Sequence, residues 1–279
     1  MMIDAHQHFW RIARGDYFWL KPDMAEIHRD FEADDLKPKL ERHGIAKTIL
    51  VQAAATEAET VYMIEAAKGA GFVAGVVGWV DFEAGDSPER IAAFAREPLI
   101  KGFRPMMQDL PDAAWMLQEK LTPAFRALVA NKLRFDALVK PHLLEGLIKL
   151  VRRHPGLPVV IDHGAKPKIA TWQTGGTEFK KWRDEMAVLA SLGCACKLSG
   201  LVSEAGPRWR AGDLAPYADA LVEIFTPSRL MWGSDWPVSR LARGYNAWRD
   251  AVLHLLRGLS AVEQADVLGG TAARFYGVN

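Results

Sequence analysis

Eight short apolar runs recur along the chain at intervals that leave room for a helix between each pair. They read as strands at Met2–Ala5, Thr48–Gln52, Val73–Val80, Ile100–Arg104, Arg134–Val139, Pro158–Asp162, Ala195–Ser199 and Leu230–Gly233. Most are continuously apolar rather than alternating, as strands buried on both faces must be. The segments between them carry helix signals. Ser87-Pro88-Glu89 supplies a serine cap, a proline at the first helical position and an early acid. His142–His154 ends at Pro155-Gly156, Thr177–Leu192 stops at Gly193, and Pro216–Phe225 stops before Pro227. Tyr245–Leu259 reads as a long late helix. Ser260-Ala261-Val262-Glu263 has the capping-box spacing and opens a short helix closed by Gly269-Gly270. Strands alternating with helices predict a (β/α)8 barrel. The competing architecture is an open doubly wound sheet, but no glycine-rich phosphate loop follows the first strand.

The chain has 279 residues, somewhat above the roughly 250 of a typical barrel of this kind. No linker or composition break divides it, so residues 1–279 are expected to form one domain. An apolar fraction of 49% supplies a large core, and a net charge of +1 with scattered basic residues gives no footprint for nucleic acid or an anionic membrane. No apolar run reaches the roughly 18 residues of a membrane span. The first residues enter a strand at once, so no signal peptide is expected and the protein is placed in the cytoplasm. Cys194 and Cys196 are assigned to opposite faces of one strand and read as reduced packing residues.

Two motifs at opposite ends of the chain carry the chemistry. Asp4-Ala5-His6-Gln7-His8 closes the first strand, and side-chain alternation points His6 and His8 the same way. Gly233-Ser234-Asp235-Trp236-Pro237 closes the last. In a closed barrel the first and eighth strands are neighbours, so these three residues converge. Such a group can hold a metal, activate a water, or both. Other polar residues at expected strand ends are Gln52, Asp81, Arg104, Lys140, His142, His163, Lys197 and Ser199. In a barrel they share the rim where active sites lie. Arg104 can grip a carboxylate, carbonyl or oxyanion through its planar fork, and Gln52 can hydrogen-bond a substrate. Either Lys140 or His142, which flank Pro141, faces the site. Asp162 faces the outer layer or supports a neighbour. His28, His43, His154 and His254 read as surface or packing residues. Trp10, Trp19, Trp79, Trp172, Trp209 and Trp236 fall at strand ends or in the following loops. Of these, Trp19, Trp79 and Trp236 are the candidates for stacking on a substrate. The loops Arg11–Asp30, Ala165–Gly176 and Leu201–Leu214 are long enough to act as lids.

These motifs, together with Gly102-Phe103-Arg104, Ile161-Asp162-His163, Lys197-Leu198-Ser199-Gly200, Trp232-Gly233 and the closing Gly270–Tyr276 segment, resemble the amidohydrolase superfamily. More closely they resemble its branch of sugar-lactone and dicarboxylate-lactone hydrolases, over nearly the whole chain. The resemblance implies a barrel hydrolase acting on a small-molecule lactone or sugar acid. It carries the family's paired histidines onto His6 and His8, its last-strand aspartate onto Asp235 and its sixth-strand histidine onto His163. The fifth strand ends in Lys140-Pro141-His142, a departure that argues against a two-metal site. One zinc on His6, His8, Asp235 and His163 and metal-free catalysis both fit the resemblance, as does a homo-oligomer. On this reading Asp235 is the general base, and the histidines with Arg104 or zinc polarise the carbonyl. A metal-dependent decarboxylase of an aromatic or unsaturated acid is the alternative within the superfamily. A non-catalytic barrel binding a sugar acid is the third reading.

Overall fold

The computed structural model describes residues 1–278. Eight parallel strands pair in chain order: β1 (Met2–Gln7), β2 (Ile45–Val51), β3 (Val73–Gly78), β4 (Ile100–Phe103), β5 (Arg134–Ala137), β6 (Val159–Ile161), β7 (Ala195–Leu198) and β8 (Leu230–Trp232). The helices are α1 (Ala33–His43), α2 (Glu57–Ala70), α3 (Ser87–Phe94), α4 (Thr122–Ala130), α5 (Leu144–Arg153), α6 (Thr177–Ser191), α7 (Leu201–Ala205), α8 (Ala211–Phe225), α9 (Gly244–Leu255), α10 (Ala261–Ala265) and α11 (Thr271–Tyr276). The sheet closes just beyond β8: the Asp235 amide donates to the His6 carbonyl at 2.8 Å, and the His8 amide donates to the Trp236 carbonyl at 2.7 Å. This is the expected (β/α)8 barrel.

Close approach of the two end strands requires a glycine. A Cβ on Gly233 would lie 2.6 Å from the His6 Cβ, so any larger residue would push β8 away from β1. The apolar side chains fall into two sets. Residues such as Leu50, Val76, Phe103, Phe135, Ile161 and Leu198 face outward and pack beneath the helices. Ile3, Ala5, Ile49, Val51, Val77, Val160, Ala195 and Met231 fill the barrel interior with Ala272 and Tyr276 of α11. No helix is long and apolar enough to cross a membrane among the described residues.

Most expected element boundaries shift by a few residues. Asp86 rather than Ser87 occupies the N-cap position of α3, without a side-chain cap bond, and Ser87 and Pro88 are its first two residues. Helix α8 begins at Ala211 and runs through Pro216, so the expected loop at Leu201–Leu214 instead holds α7 and the start of α8. The Ser260 capping box is present as expected, with the Ser260 hydroxyl accepting from the Glu263 amide at 3.3 Å. The assignment of the two cysteines to opposite faces is corrected. Residues two apart on an extended chain face the same way, and Cys194, just ahead of β7, and Cys196 both pack in the outer layer, free and buried.

Candidate active site

Strand β1 places two imidazoles in the barrel by breaking its own alternation. Ile3 and Ala5 face the interior. A register shift between Asp4 and Gln7 inverts the pattern, so that His6 and His8 also turn inward while the Gln7 amide reaches Thr48 Oγ1 at 3.2 Å. Asp4 stabilises this irregular stretch by accepting from the amides of His6 (3.2 Å) and Ser234 (2.8 Å). It thereby couples the end of β1 to the segment after β8.

The Nε2 atoms of His6 and His8 lie 3.2 Å apart. Asp235 Oδ1 lies 3.8 Å from His6 Nε2, 3.4 Å from His8 Nε2 and 3.9 Å from His163 Nε2. One carboxylate oxygen therefore sits among three imidazoles, all four residues being buried. The orientation of each ring is set from behind. His8 Nδ1 donates to the Val51 carbonyl at 2.7 Å, which leaves its Nε2 lone pair facing the site. His163 Nδ1 bonds Ser199 Oγ at 2.8 Å. Gly200 makes room for this ring, since a Cβ there would meet His163 Nδ1 at 2.5 Å.

Behind the rings lies a buried ionic layer. Lys197 Nζ contacts Asp136 Oδ2 at 2.5 Å, Asp162 Oδ1 at 3.0 Å and His6 Nδ1 at 3.2 Å. Asp162 also accepts from Arg104 Nη1 at 3.0 Å, and Tyr276 donates to Asp136 Oδ2 at 2.7 Å. Arg104 Nη1 lies 3.4 Å from His6 Nε2. Its Nη2 donates to the Gln52 carbonyl. Asp162 thus points into the barrel, as a support for its neighbours.

Burial sets the protonation states. It pushes His163 down to about 4, with partial opposition from Asp235 and Asp162. It also holds His6 well below the usual histidine range, helped by the Lys197 charge. Burial acts to raise the Asp235 carboxyl, but the charge of His163, the His8 hydrogen bond and the other two rings outweigh it and hold it below the usual carboxylate range. At neutral pH the Asp235 carboxylate therefore stands beside two neutral imidazoles, those of His6 and His163.

These residues pass the chemical test for a metal. His6, His8 and Asp235 each offer one donor atom to a common point. The separations of 3.2, 3.4 and 3.8 Å match ligands about 2 Å from a single ion. Nitrogen and carboxylate donors suit zinc. A second grouping, His6, Asp162 and His163, is less free, because Asp162 is already engaged by Arg104 and Lys197.

A cavity of ≈ 260 Å³ opens over the site, with His8, Arg104, His163 and Asp235 at its floor and Trp19, Met24, Met106 and Leu241 on its walls. Trp19 is anchored by its indole N–H to the Ala53 carbonyl at 2.7 Å. Other expected substrate contacts lie elsewhere. Gln52 is fully buried behind Arg104, its amide donating to the Arg104 carbonyl at 2.6 Å. Trp236 packs edge-on against Phe9 and Phe31. Trp79 lines a separate small cleft with Asp81 and Trp115. Lys140 is ion-paired to Asp109 at 2.5 Å and borders a neighbouring cavity that His142 shares. Neither flank of Pro141 lines the cavity above Asp235. Trp10 and Trp209 are buried packing residues. Two contributors went unnoticed in the sequence. Asp136 was legible as a lone acid in an apolar strand, whereas Lys166, on the cavity wall, gives no sequence signal.

A family model described as amidohydrolase matches residues 3–278. The chain is 43% identical over 284 residues to an L-fucono-1,5-lactonase of Burkholderia ambifaria, covering 99% of this chain and 96% of that protein. It is 38% identical to an L-fucono-1,5-lactonase of Burkholderia multivorans, again covering 99% and 96%. A crystal structure of an amidohydrolase from Burkholderia multivorans with bound zinc superposes with a TM-score of 0.94 at 37% identity, covering 100% of both chains.

Proposed function

The chain is a member of the amidohydrolase family, and on that ground we propose that it hydrolyses an aldonolactone to the open aldonic acid, a fucono-type 1,5-lactone being the first substrate to try. The observation that carries this reading is Asp235: an ionised carboxylate set among His6, His8 and His163 at the floor of an open cavity. Full-length similarity to two lactonases supports the substrate class.

Asp235 accepts a proton from water as the water oxygen bonds to the lactone carbonyl carbon. Negative charge builds on the carbonyl oxygen, and the Arg104 guanidinium beside His6 is the fixed donor for it. Asp235 then returns the proton to the ring oxygen as the acyl C–O bond breaks, giving a carboxylic acid and a hydroxyl on one chain. The acid ionises at neutral pH. Burial of these side chains strengthens each of these interactions. His6, His8 and Asp235, with His163 beside them, would hold one zinc ion, which when bound supplies Lewis-acid polarisation of the carbonyl and a more acidic water. Two buried free cysteines suit a cytoplasmic enzyme of carbohydrate catabolism, and we treat the whole chain as one catalytic domain.

The test is proton release from a panel of aldono-1,4- and 1,5-lactones, before and after chelation, with metal content measured in each sample. Turnover of at least one lactone above its spontaneous rate is expected. Turnover lost on chelation and restored by zinc would assign the ion a catalytic part, and unchanged turnover would assign the chemistry to the side chains alone. No turnover in either state would overturn the lactonase reading.

A further inference from the structure

Past β6 the backbone winds left-handed for a full turn. His163, Gly164, Ala165 and Lys166 have φ of 55°, 56°, 62° and 51°, and only one of the four is glycine. L-residues visit this region singly and at a cost, so four in succession persist only where the surroundings hold them. The surroundings do so here. The Trp182 indole donates to the Gly164 carbonyl at 2.8 Å, His163 Nδ1 bonds Ser199 Oγ at 2.8 Å, and the Lys166 amide closes the turn onto the His163 carbonyl at 2.9 Å.

Such a tight winding brings positions three apart to one side. His163 and Lys166 accordingly line the same cavity above Asp235. Lys166 also forms part of the wall of the neighbouring cavity of ≈ 600 Å³, with Lys140, Trp172 and Glu204. Of the other lysines nearby, Lys140 is paired with Asp109 and Lys197 with Asp136 and Asp162, whereas Lys168 is exposed and borders only the neighbouring cavity. Among the described residues no carboxylate stands within ion-pair distance of the Lys166 ammonium. A half-buried cation held by a strained turn beside the reacting group, with Glu204 near it but beyond ion-pair distance, matches what the reaction produces. Ring opening turns a neutral lactone into a carboxylate next to the Asp235 carboxylate.

We propose that Lys166 binds the carboxylate of the opened product, and so sets which acids the site retains. The inference rests on the lactonase reading for its ligand, but its test does not require turnover. The binding of L-fuconate is measured by calorimetry for the wild type, Lys166→Met, Lys166→Arg and Lys168→Met, with thermal melts to confirm folding. Lys168 is exposed and shares only the neighbouring cavity. The expected result is that Lys166→Met weakens fuconate binding about 10- to 100-fold, the effect of losing one charge-assisted hydrogen bond. Lys166→Arg should recover most of it and Lys168→Met should leave it unchanged. Equal affinity in the wild type and Lys166→Met overturns the proposal. An equal loss in Lys168→Met also overturns it, because the effect would then be diffuse charge. If Lys166→Met fails to fold, the comparison of Lys166→Arg with Lys166→Gln decides by the same criterion. Absence of lactone turnover by the wild type would sink the lactonase reading and leave the affinity comparison intact.

Discussion

The barrel interior has two halves built on opposite principles. Its lower half is apolar: Ile3, Ile49, Val77, Val160 and Met231 pack against Ala272, Tyr276 and Val278 of the C-terminal segment. Its upper half holds Arg104, Asp136, Asp162, Lys197, three histidines and Asp235, all buried. The lower half needs only volume and shape, since apolar contacts are non-directional. The upper half must satisfy each charge by position, because an unpaired charge in a low-dielectric interior is far more costly than a missing methyl. The halves meet where the Tyr276 hydroxyl donates to Asp136 Oδ2. The apolar half holds the barrel closed, and the ionic half fixes the direction in which each candidate site group points.

The sharpest way to break this division is Lys197→Met. It leaves Asp136 and Asp162 without their common partner, and a buried pair broken on one side costs about 3–5 kcal/mol. Urea denaturation should register that loss, and turnover should fall as well because His6 Nδ1 loses one of its two neighbours, keeping only Asp162 Oδ1 at 3.4 Å. Loss of activity with full stability would show that the layer orients groups but carries no fold energy. Met231→Ala probes the lower half: a truncated core side chain costs about 2–5 kcal/mol, yet kcat/KM of the folded fraction should stay at the wild-type value. A parallel fall in kcat/KM would mean that the two halves are not separable. Tyr276→Phe tests the junction, with an expected loss of about 1.5–3 kcal/mol for one hydrogen bond to a charged group and no change in the lactone profile. The smallest effect belongs outside the barrel. Burial pushes the Cys194 thiol up to about 12 and raises Cys196 as well. The thiolate is the reactive form, so a thiol reagent at pH 8 should label neither cysteine in the native protein and both in urea.

The apolar half was legible because its signal is local. Runs such as Ile49-Leu50-Val51 and Val159-Val160-Ile161 must be strands buried on both faces, and eight of them separated by helices leave few topologies. The convergence of His6, His8 and Asp235 followed from closure. The register shift on β1, which sends both histidines inward after Ile3 and Ala5, did not, since alternation alone would put Ile3 and His6 on opposite faces. The ionic layer was only partly readable. Lys197 and Asp162 could be placed at strand ends, but which partner each would meet depends on strand stagger around the barrel. Gln52 and Trp236 sit at strand ends as expected and yet are consumed by packing, one behind Arg104 and the other beneath the first loop. Lys166 was invisible because a left-handed turn of mostly non-glycine residues has no sequence signature and exists only through the contacts that hold it.

The proposed lactone hydrolysis depends most directly on Asp235. Initial rates of proton release from L-fucono-1,5-lactone should be compared for the wild type and Asp235→Asn, with melting curves recorded on the same samples. Removal of the proposed general base should lower kcat/KM by about 10²–10⁴-fold with the fold intact. An Asp235→Asn protein that opens the lactone as fast as the wild type would contradict the account.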